Sequence, residues 1–309
     1  MQARILRLLS ARVGVDFTHY KKSTLHRRIA HRMVLRGVHD EVHYLRLLEK
    51  ESMEVDALFR DALIHVTSFF RDPAVFQTLQ ERVLPAIVKH KPLGEPIRFW
   101  VPGCSTGEEV YSLAICLLEV LPSDAERPRI QIYATDISEA VIARARAGVY
   151  PKSISREVSA ARLRRFFSPC PGGYQVAKAL REACIFARQN VASDPPFARI
   201  DLISCRNLLI YFDAALQKKV LPTLHYALNP GGYLVLGLSE GPNPFQRSLR
   251  SGGLEAKNLC DEKHAAAGFD HSTASALRLH PSTEAMRRRR SRRIRQTCAS
   301  PATGSCSGA

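Results

Sequence analysis

From Gly103 to Glu109 the chain reads Gly-Cys-Ser-Thr-Gly-Glu-Glu, two glycines around small polar side chains, then two adjacent carboxylates. A loop without bulky side chains lets a ligand approach the backbone, and a helix opening at Glu108 would present unpaired N–H groups to it. Phosphate is the wrong ligand, because a phosphate cradle needs Lys and then Ser or Thr where this chain has Glu108 and Glu109. The spacing from Gly103 to Gly107 also departs from the G-x-G-x-x-G of dinucleotide sites. Carboxylates at this point suit a ligand with positive charge, such as the ammonium and sulfonium of S-adenosylmethionine. Asp136 points the same way. It ends the alternating run Ile130-Gln131-Ile132-Tyr133-Ala134-Thr135, where a carboxylate can accept from two ribose hydroxyls. The competing reading makes Asp136 a cap for the helix expected over 138–147.

These residues need a scaffold, and the flanking patterns supply one. Arg98-Phe99-Trp100-Val101 is an apolar, aromatic-rich run of buried-strand type, stopped by Pro102 and Gly103. An amphipathic helix over 108–120 follows, with Ser105 and Thr106 as candidate caps. Ile200-Asp201-Leu202-Ile203-Ser204-Cys205 reads as a buried parallel strand ending at Arg206-Asn207. A helix over 213–228, a Gly231-Gly232 turn and a strand over 233–238 complete the pattern. Residues 1 to about 71 read as helices, with apolar residues such as Leu25, Ile29 and Met33 at helical spacings and no strand pattern between them.

A chain of 309 residues with 45% hydrophobic content can bury one large core or two. It has no apolar run near the roughly 20 residues of a membrane span. Its Arg-interrupted start is unlike a secretory signal, so no membrane insertion is expected and the cytoplasm is the default. The eight cysteines include no CxxC pair, and Cys104, Cys116, Cys184 and Cys205 sit in apolar segments. They read as packed thiols rather than nucleophiles, and no metal site is expected. The formal charge of +16 is concentrated in two places. One is a helix expected over 20–36, with Lys21, Lys22, Arg27, Arg28, Arg32 and Arg36 and no acid, which is either a solvated face or a docking surface for an acidic partner. The other is the tail cluster from Arg287 to Arg295, where divergence without a selected role is preferred over a specific nucleic-acid site.

Five ordered motifs carry a resemblance. They are Val66-Thr67-Ser68-Phe69-Phe70-Arg71-Asp72-Pro73, the segment from Gly103 through Ser112, Ala134-Thr135-Asp136-Ile137-Ser138, Ser204-Cys205-Arg206-Asn207-Leu208-Leu209-Ile210-Tyr211-Phe212, and the segment from Leu228 through Gly237. Together they resemble the CheR family of chemoreceptor glutamate methyltransferases. The resemblance implies an α/β fold of class I methyltransferase type: a doubly wound sheet, an all-α domain over 1–72, a methyltransferase domain over 73–262 and a β-subdomain inserted at about 148–189. Tyr174-Gln175-Val176 and Cys184-Ile185-Phe186 would supply strands of that insertion. The family's closing β-hairpin has no evident equivalent after Glu240, and a disordered basic tail is expected over 263–309.

The implied cofactor is S-adenosylmethionine, and the implied partners are cytoplasmic helices of methyl-accepting chemoreceptors. Carried over position by position, Thr67 and Arg71 would hold the methionine end, Glu108 would face its ammonium, and Asp136 would take the ribose. Gly103 would allow close approach, while Asn190, Val191, Asn207 and Leu208 would flank the adenine and the methyl-transfer mouth. His65 stands where many members have Asn. Arg98 and Tyr211 are candidates to orient the substrate. Each position also has a structural alternative: Thr67 and Asn207 as caps, Arg71 paired with Asp72, Glu108 serving the helix dipole. A non-catalytic module with a degenerate fold and a nucleic-acid methylase are the rival functions. The second is suggested only by Asp194-Pro195-Pro196-Phe197, which lies before its strand and not at the strand's end.

Overall fold

The computed structural model describes residues 1–122, 127–240, 255–258 and 276–280. Four helices come first: α1 (Gln2–Val13), α2 (Lys22–Leu35), α3 (Glu41–Lys50) and α4 (Ser52–Ala62). They bury Ile5, Leu9, Phe17, Leu25, Ile29, Tyr44 and Leu58 against one another, a core separate from that of the rest of the chain. Next come α5 (Pro73–Thr78), one π-helical turn and α6 (Leu84–His90), then β1 (Ile97–Pro102), α7 (Glu108–Val120), β2 (Ile130–Asp136) and α8 (Glu139–Ala147). Phe69 and Phe70 already pack in the core of the sheet, so by packing the second unit takes in the segment before Asp72.

The insertion consists of β3 (Val149–Pro151), α9 (Ala160–Phe166), β4 (Phe167–Cys170) and β5 (Gly173–Val176), and its strands form an antiparallel sheet in the order β3-β5-β4. Gly173 is required there, because a Cβ on it would lie 1.9 Å from the Tyr150 carbonyl oxygen. After α10 (Lys178–Glu182), β6 (Cys184–Arg188) leaves the insertion and pairs in parallel with β2 in the main sheet. This corrects the assignment of Cys184-Ile185-Phe186 to the subdomain. Cys184 and Phe186 alternate inward to the main core beside Tyr111, and that apolar face is what the main sheet buries.

The chain ends its described course with β7 (Ile200–Cys205), α11 (Ala214–Ala227), β8 (Leu228–Leu236), β9 (Glu255–Asn258) and β10 (Ala276–His280). The main sheet has the order β6-β2-β1-β7-β8-β10-β9, with the first five strands parallel. Phe99, Val101, Ile132 and Val235 face the layer that includes α7 and α8, whereas Trp100, Ile203, Leu234 and Leu236 face the layer that includes α11. This is the doubly wound architecture the motifs imply. Asp194-Pro195-Pro196-Phe197 is a packing element: Phe197 stacks on Tyr133 at 4.4 Å and meets Trp100 edge-on at 5.4 Å.

Two expectations about the C-terminus change. β10 pairs antiparallel with both β8 and β9, so an antiparallel pair does close the sheet, with Arg278 opposite Tyr233 and Leu277 opposite Leu234. One strand comes from Glu255-Ala256-Lys257-Asn258, and the other lies within the stretch expected to be patternless. Backbone pairing sets these two strands, and neither carries the aromatic-rich pattern by which such a closure is read from sequence. The Arg cluster of the tail lies outside the described residues. No helix of the described residues is long and apolar enough to cross a membrane.

Candidate functional site

Strand order reverses between β1 and β7, and in open parallel sheets ligands bind in the crevice beyond the carboxyl ends at such a switch point. Two adjoining cavities occupy that position. The first is lined by His65, Gly103, Ser105, Asp136, Asn190, Val191, Asn207, Leu208 and Tyr211, with Tyr20 from the N-terminal unit. The second is lined by Thr67, Arg71, Gly103, Glu109, Ser204, Arg206 and Asn207. They share Ile64, Gly103, Ser105, Asn207 and Tyr211 and so form one cleft.

Backbone geometry shows how the cleft is shaped. Phe70, Asp72, Ser105 and Asn207 all hold positive φ, at 51°, 58°, 50° and 59°. Such conformations cost non-glycine residues roughly 1–3 kcal/mol each and persist where surrounding contacts fix them. Those contacts are present. Phe70 N–H donates to Ser112 Oγ and Phe69 N–H to Glu157, while Ser105 N–H donates to Asp136 at 3.0 Å. Asn207 N–H donates to Glu240 at 2.7 Å, and that carboxylate also accepts from Gly237 and Ile210 N–H. Gly103, at φ +68°, leaves the space a side chain would take against Leu208, whose methyls would lie 3.1 Å from its Cβ.

Asp136 is buried at the end of β2, with each carboxylate oxygen accepting one backbone N–H, from Ser105 and Ser138. Burial raises its pKa from the ordinary value, while those N–H groups and His65 oppose the rise. Each oxygen keeps a free lone pair for a hydroxyl. Asp136 thus serves the turn before α8 and still faces the cavity. His65 Nε2 and Ser105 Oγ are buried with no hydrogen-bond partner among the described residues, and both residues line the first cavity. Unpartnered buried polar atoms are costly, so a cleft holding two of them beside Asp136 is built for a polar ligand. These residues fit the adenosyl part of S-adenosylmethionine.

Ten of the twelve residues singled out from sequence, among them Tyr211, line this cleft. Two do not. Arg98 is the second residue of β1, at the sheet's opposite end, where its Nε donates to Gln131 and its N–H to Asp201. Glu108 turns its carboxylate onto Thr106 Oγ1, at 2.7 and 3.0 Å, and it is Glu109 that lines the second cavity. The helix start explains both this and the missing cap. Gly107 is the N-cap of α7 at φ 96°, no side chain among the described residues caps the helix, and Thr106 is spent on Glu108. Sequence reasoning placed Glu108 rather than Glu109 at the ligand, and it missed Tyr20, Arg206 and Glu240. Glu240 carried no motif signal beyond its place at the end of the β8 segment.

A larger cavity at the amino ends of the strands, beside Lys91, Asp201 and Asn229, has no comparable claim. Asp201 there already accepts from Lys91 Nζ, Arg98 N–H and Asn229. The buried thiols carry no chemistry either, since burial pushes Cys104 and Cys205 well above the ordinary thiol pKa.

His65 gives the cleft a pH dependence. Burial lowers its pKa below 6.5, the charge of Asp136 opposes this and Arg144 adds to it. The imidazole is therefore neutral at pH 7.5. Burial defers its protonation to more acidic solution than an ordinary imidazole needs, and once charged next to Asp136 it competes for the oxygens a ribose would use. Affinity for S-adenosylhomocysteine, titrated calorimetrically, is expected to hold near neutral pH and to fall only in the acid range below the ordinary imidazole pKa of 6.5. A His65→Asn variant should lose most of that fall, and an unchanged slope in the variant would remove His65 from the explanation.

Comparison with known proteins agrees with the geometry. Residues 65–251 match the SAM-binding domain of CheR methyltransferases, and residues 3–63 match the all-alpha domain of the same enzymes. A 104.1 kDa uncharacterized protein of Rhodobacter capsulatus is 42% identical over 77% of this chain, which spans only 25% of that protein's length. Chemotaxis protein methyltransferase 2 of Vibrio cholerae is 33% identical over 74% of this chain and 81% of its own length. Chemotaxis protein methyltransferase 1 of Pseudomonas aeruginosa is 37% identical over 62% of this chain and 70% of its own. With an all-α unit, a doubly wound sheet and a cleft that suits S-adenosylmethionine, the chain belongs to the CheR methyltransferase family.

Proposed function

We propose that the chain transfers a methyl group from S-adenosylmethionine to glutamate side chains on cytoplasmic helices of chemoreceptors. The observation that carries this is the charge layout of the cleft. Its floor carries the buried carboxylate of Asp136 for the cofactor's ribose, while the second cavity sets Arg71 and Arg206 beside Glu109. Burial raises the pKa of Tyr211, half-exposed in its lining; the positive charges of Arg71, Arg28 and Arg27 oppose that rise and the Glu240 carboxylate adds to it. Three cations around that mouth against one carboxylate suit an anionic substrate side chain. The names of the Vibrio and Pseudomonas relatives support the same reading.

When bound, the cofactor supplies an activated methyl group. The chain's own contribution is binding and orientation. Asp136 accepts the ribose hydroxyls, His65 and Ser105 offer unpartnered polar atoms beside it, and Arg71 pairs with the methionine carboxylate. A glutamate of pKa about 4.3 is already ionised at neutral pH, so no general base is needed. Holding its oxygen in line near Tyr211 and excluding water from it are the remaining tasks.

Radiolabelled methyl transfer to receptor-containing membranes tests the proposal. Base-labile label on receptor bands is the expected result. Tight cofactor binding without transfer would leave a cofactor- or receptor-binding module in its place.

A further inference from the structure

The second cavity rests on one buried guanidinium. Arg206 follows β7, and its side chain is 2% exposed. Nη1 donates to Glu109 at 2.7 Å, and Nη2 donates both to the Arg71 carbonyl oxygen at 2.8 Å and to Asp72 at 2.7 Å. Its central carbon lies 5.6 Å from the ring centre of Phe76. Glu109 is fixed from its other oxygen by Ser204 Oγ at 2.8 Å. One planar fork thus joins the end of β7, the first turn of α7 and the Arg71-Asp72 turn, where Asp72 holds a left-handed backbone at φ 58°.

Neither carboxylate explains this arrangement as a stability device alone. A buried ion pair seldom stabilises more than an apolar replacement would, because desolvation offsets the attraction. What the fork adds is direction. Arg71 reaches the cavity from a turn whose backbone is anchored at its own carbonyl, and its Nη1 donates back to the Val66 carbonyl oxygen at 2.9 Å. Swinging that turn by even an ångström would move the Arg71 guanidinium away from a carboxylate it must meet with paired N–H groups.

We propose that Arg206 is a positioning residue, fixing the Arg71-Asp72 turn so that Arg71 meets the carboxylate of the ligand's methionine end. This rests on the placement of that end in the second cavity. The fork geometry is essential to the role, so lysine, which keeps the charge beside Glu109 but has no planar fork, cannot replace it.

Two ligands separate positioning from general loss of structure. S-adenosylhomocysteine carries the methionine-type carboxylate, and 5′-methylthioadenosine lacks it. By calorimetric titration, Arg206→Lys should bind S-adenosylhomocysteine about tenfold more weakly and 5′-methylthioadenosine as the parent chain does. Arg71→Ala should show the same selective loss, and the double variant should lose little more than either single one, since both act on one contact. Equal weakening toward both ligands in Arg206→Lys, or additive losses in the double variant, would overturn the positioning role while leaving the cofactor reading intact. A silent Arg71→Ala would overturn the placement of the methionine end and the proposal with it. Should Arg206→Lys not fold, Asp72→Asn weakens only the arm to the turn. It is expected to give a smaller selective loss, and no loss of selectivity would count against the proposal.

Discussion

Replacing Asp136 by Ala is expected to weaken S-adenosylhomocysteine binding by roughly 30- to 1,000-fold, or about 2–4 kcal/mol. The carboxylate accepts one backbone N–H on each oxygen, from Ser105 and Ser138, and a carboxylate's acceptor capacity leaves room for hydroxyls as well. Charged acceptors in a dry site are worth about 1.5–3 kcal/mol each. The alanine variant also leaves those two N–H groups without their acceptor, so part of its loss will appear as lower stability in urea. Asp136→Asn separates the two effects, because its remaining carbonyl can keep one N–H satisfied and accept one hydroxyl. It should bind with intermediate affinity and near-parental stability. If Asp136→Ala binds as tightly as the parent, Asp136 is only a turn element before α8, and the ribose must sit elsewhere.

Much of this site could be read from sequence because backbone requirements and ligand chemistry coincide there. Gly103 must hold φ +68° and leave room for Leu208, and Asp136 must end a strand, so both positions are constrained twice. Where only one constraint acts, the sequence was less informative. Glu108 and Glu109 are chemically identical, and successive helical residues point about 100° apart. Which of them turns into the cavity depends on the angle at which Gly107 launches α7, a backbone detail no composition carries. Arg98 failed for a different reason. It lies four residues before Pro102, and at about 3.3 Å per residue this places it roughly 13 Å from the carboxyl end of β1, where the ligand binds. Cys184-Ile185-Phe186 fits either sheet by propensity. Long-range parallel pairing with β2 decides, and that depends on where α10 returns the chain. Arg206 and Glu240 were overlooked because they act on backbone groups of other loops, a role visible only once those loops are folded.

The basic helix shows how far net charge can mislead, and it leads to the second large effect. Four cations in α2, with Lys21 and Arg36 capping its ends and no acid among them, invite reading the helix as one docking face. Two of them are already used inside the protein. Arg32 places Nε and Nη2 on the two oxygens of Glu54, at 2.9 and 2.7 Å, and Nη1 3.5 Å from Asp61, while Arg36 pairs with Glu51 at 2.6 Å. Glu54 is 3% exposed and also accepts from Tyr44. Arg32→Ala leaves that carboxylate buried without its main counter-charge, which typically costs about 3–5 kcal/mol. Urea unfolding should show this loss. Arg27 is exposed and Arg28 half-exposed; among the described residues neither has an acid partner, and both act on Tyr211. Reversing these two to Glu should leave urea stability and S-adenosylhomocysteine affinity near the parental values. Methylation of receptor membranes at low salt should instead slow about tenfold or more through weaker substrate capture. At 0.5 M salt, where the screening length is roughly 4 Å, most of that difference should vanish. Parental methylation rates in the Arg27→Glu/Arg28→Glu variant at low salt would make this end of α2 an ordinary solvated face. A fully stable Arg32→Ala would mean that the fork onto Glu54 is not what holds α2 against α4.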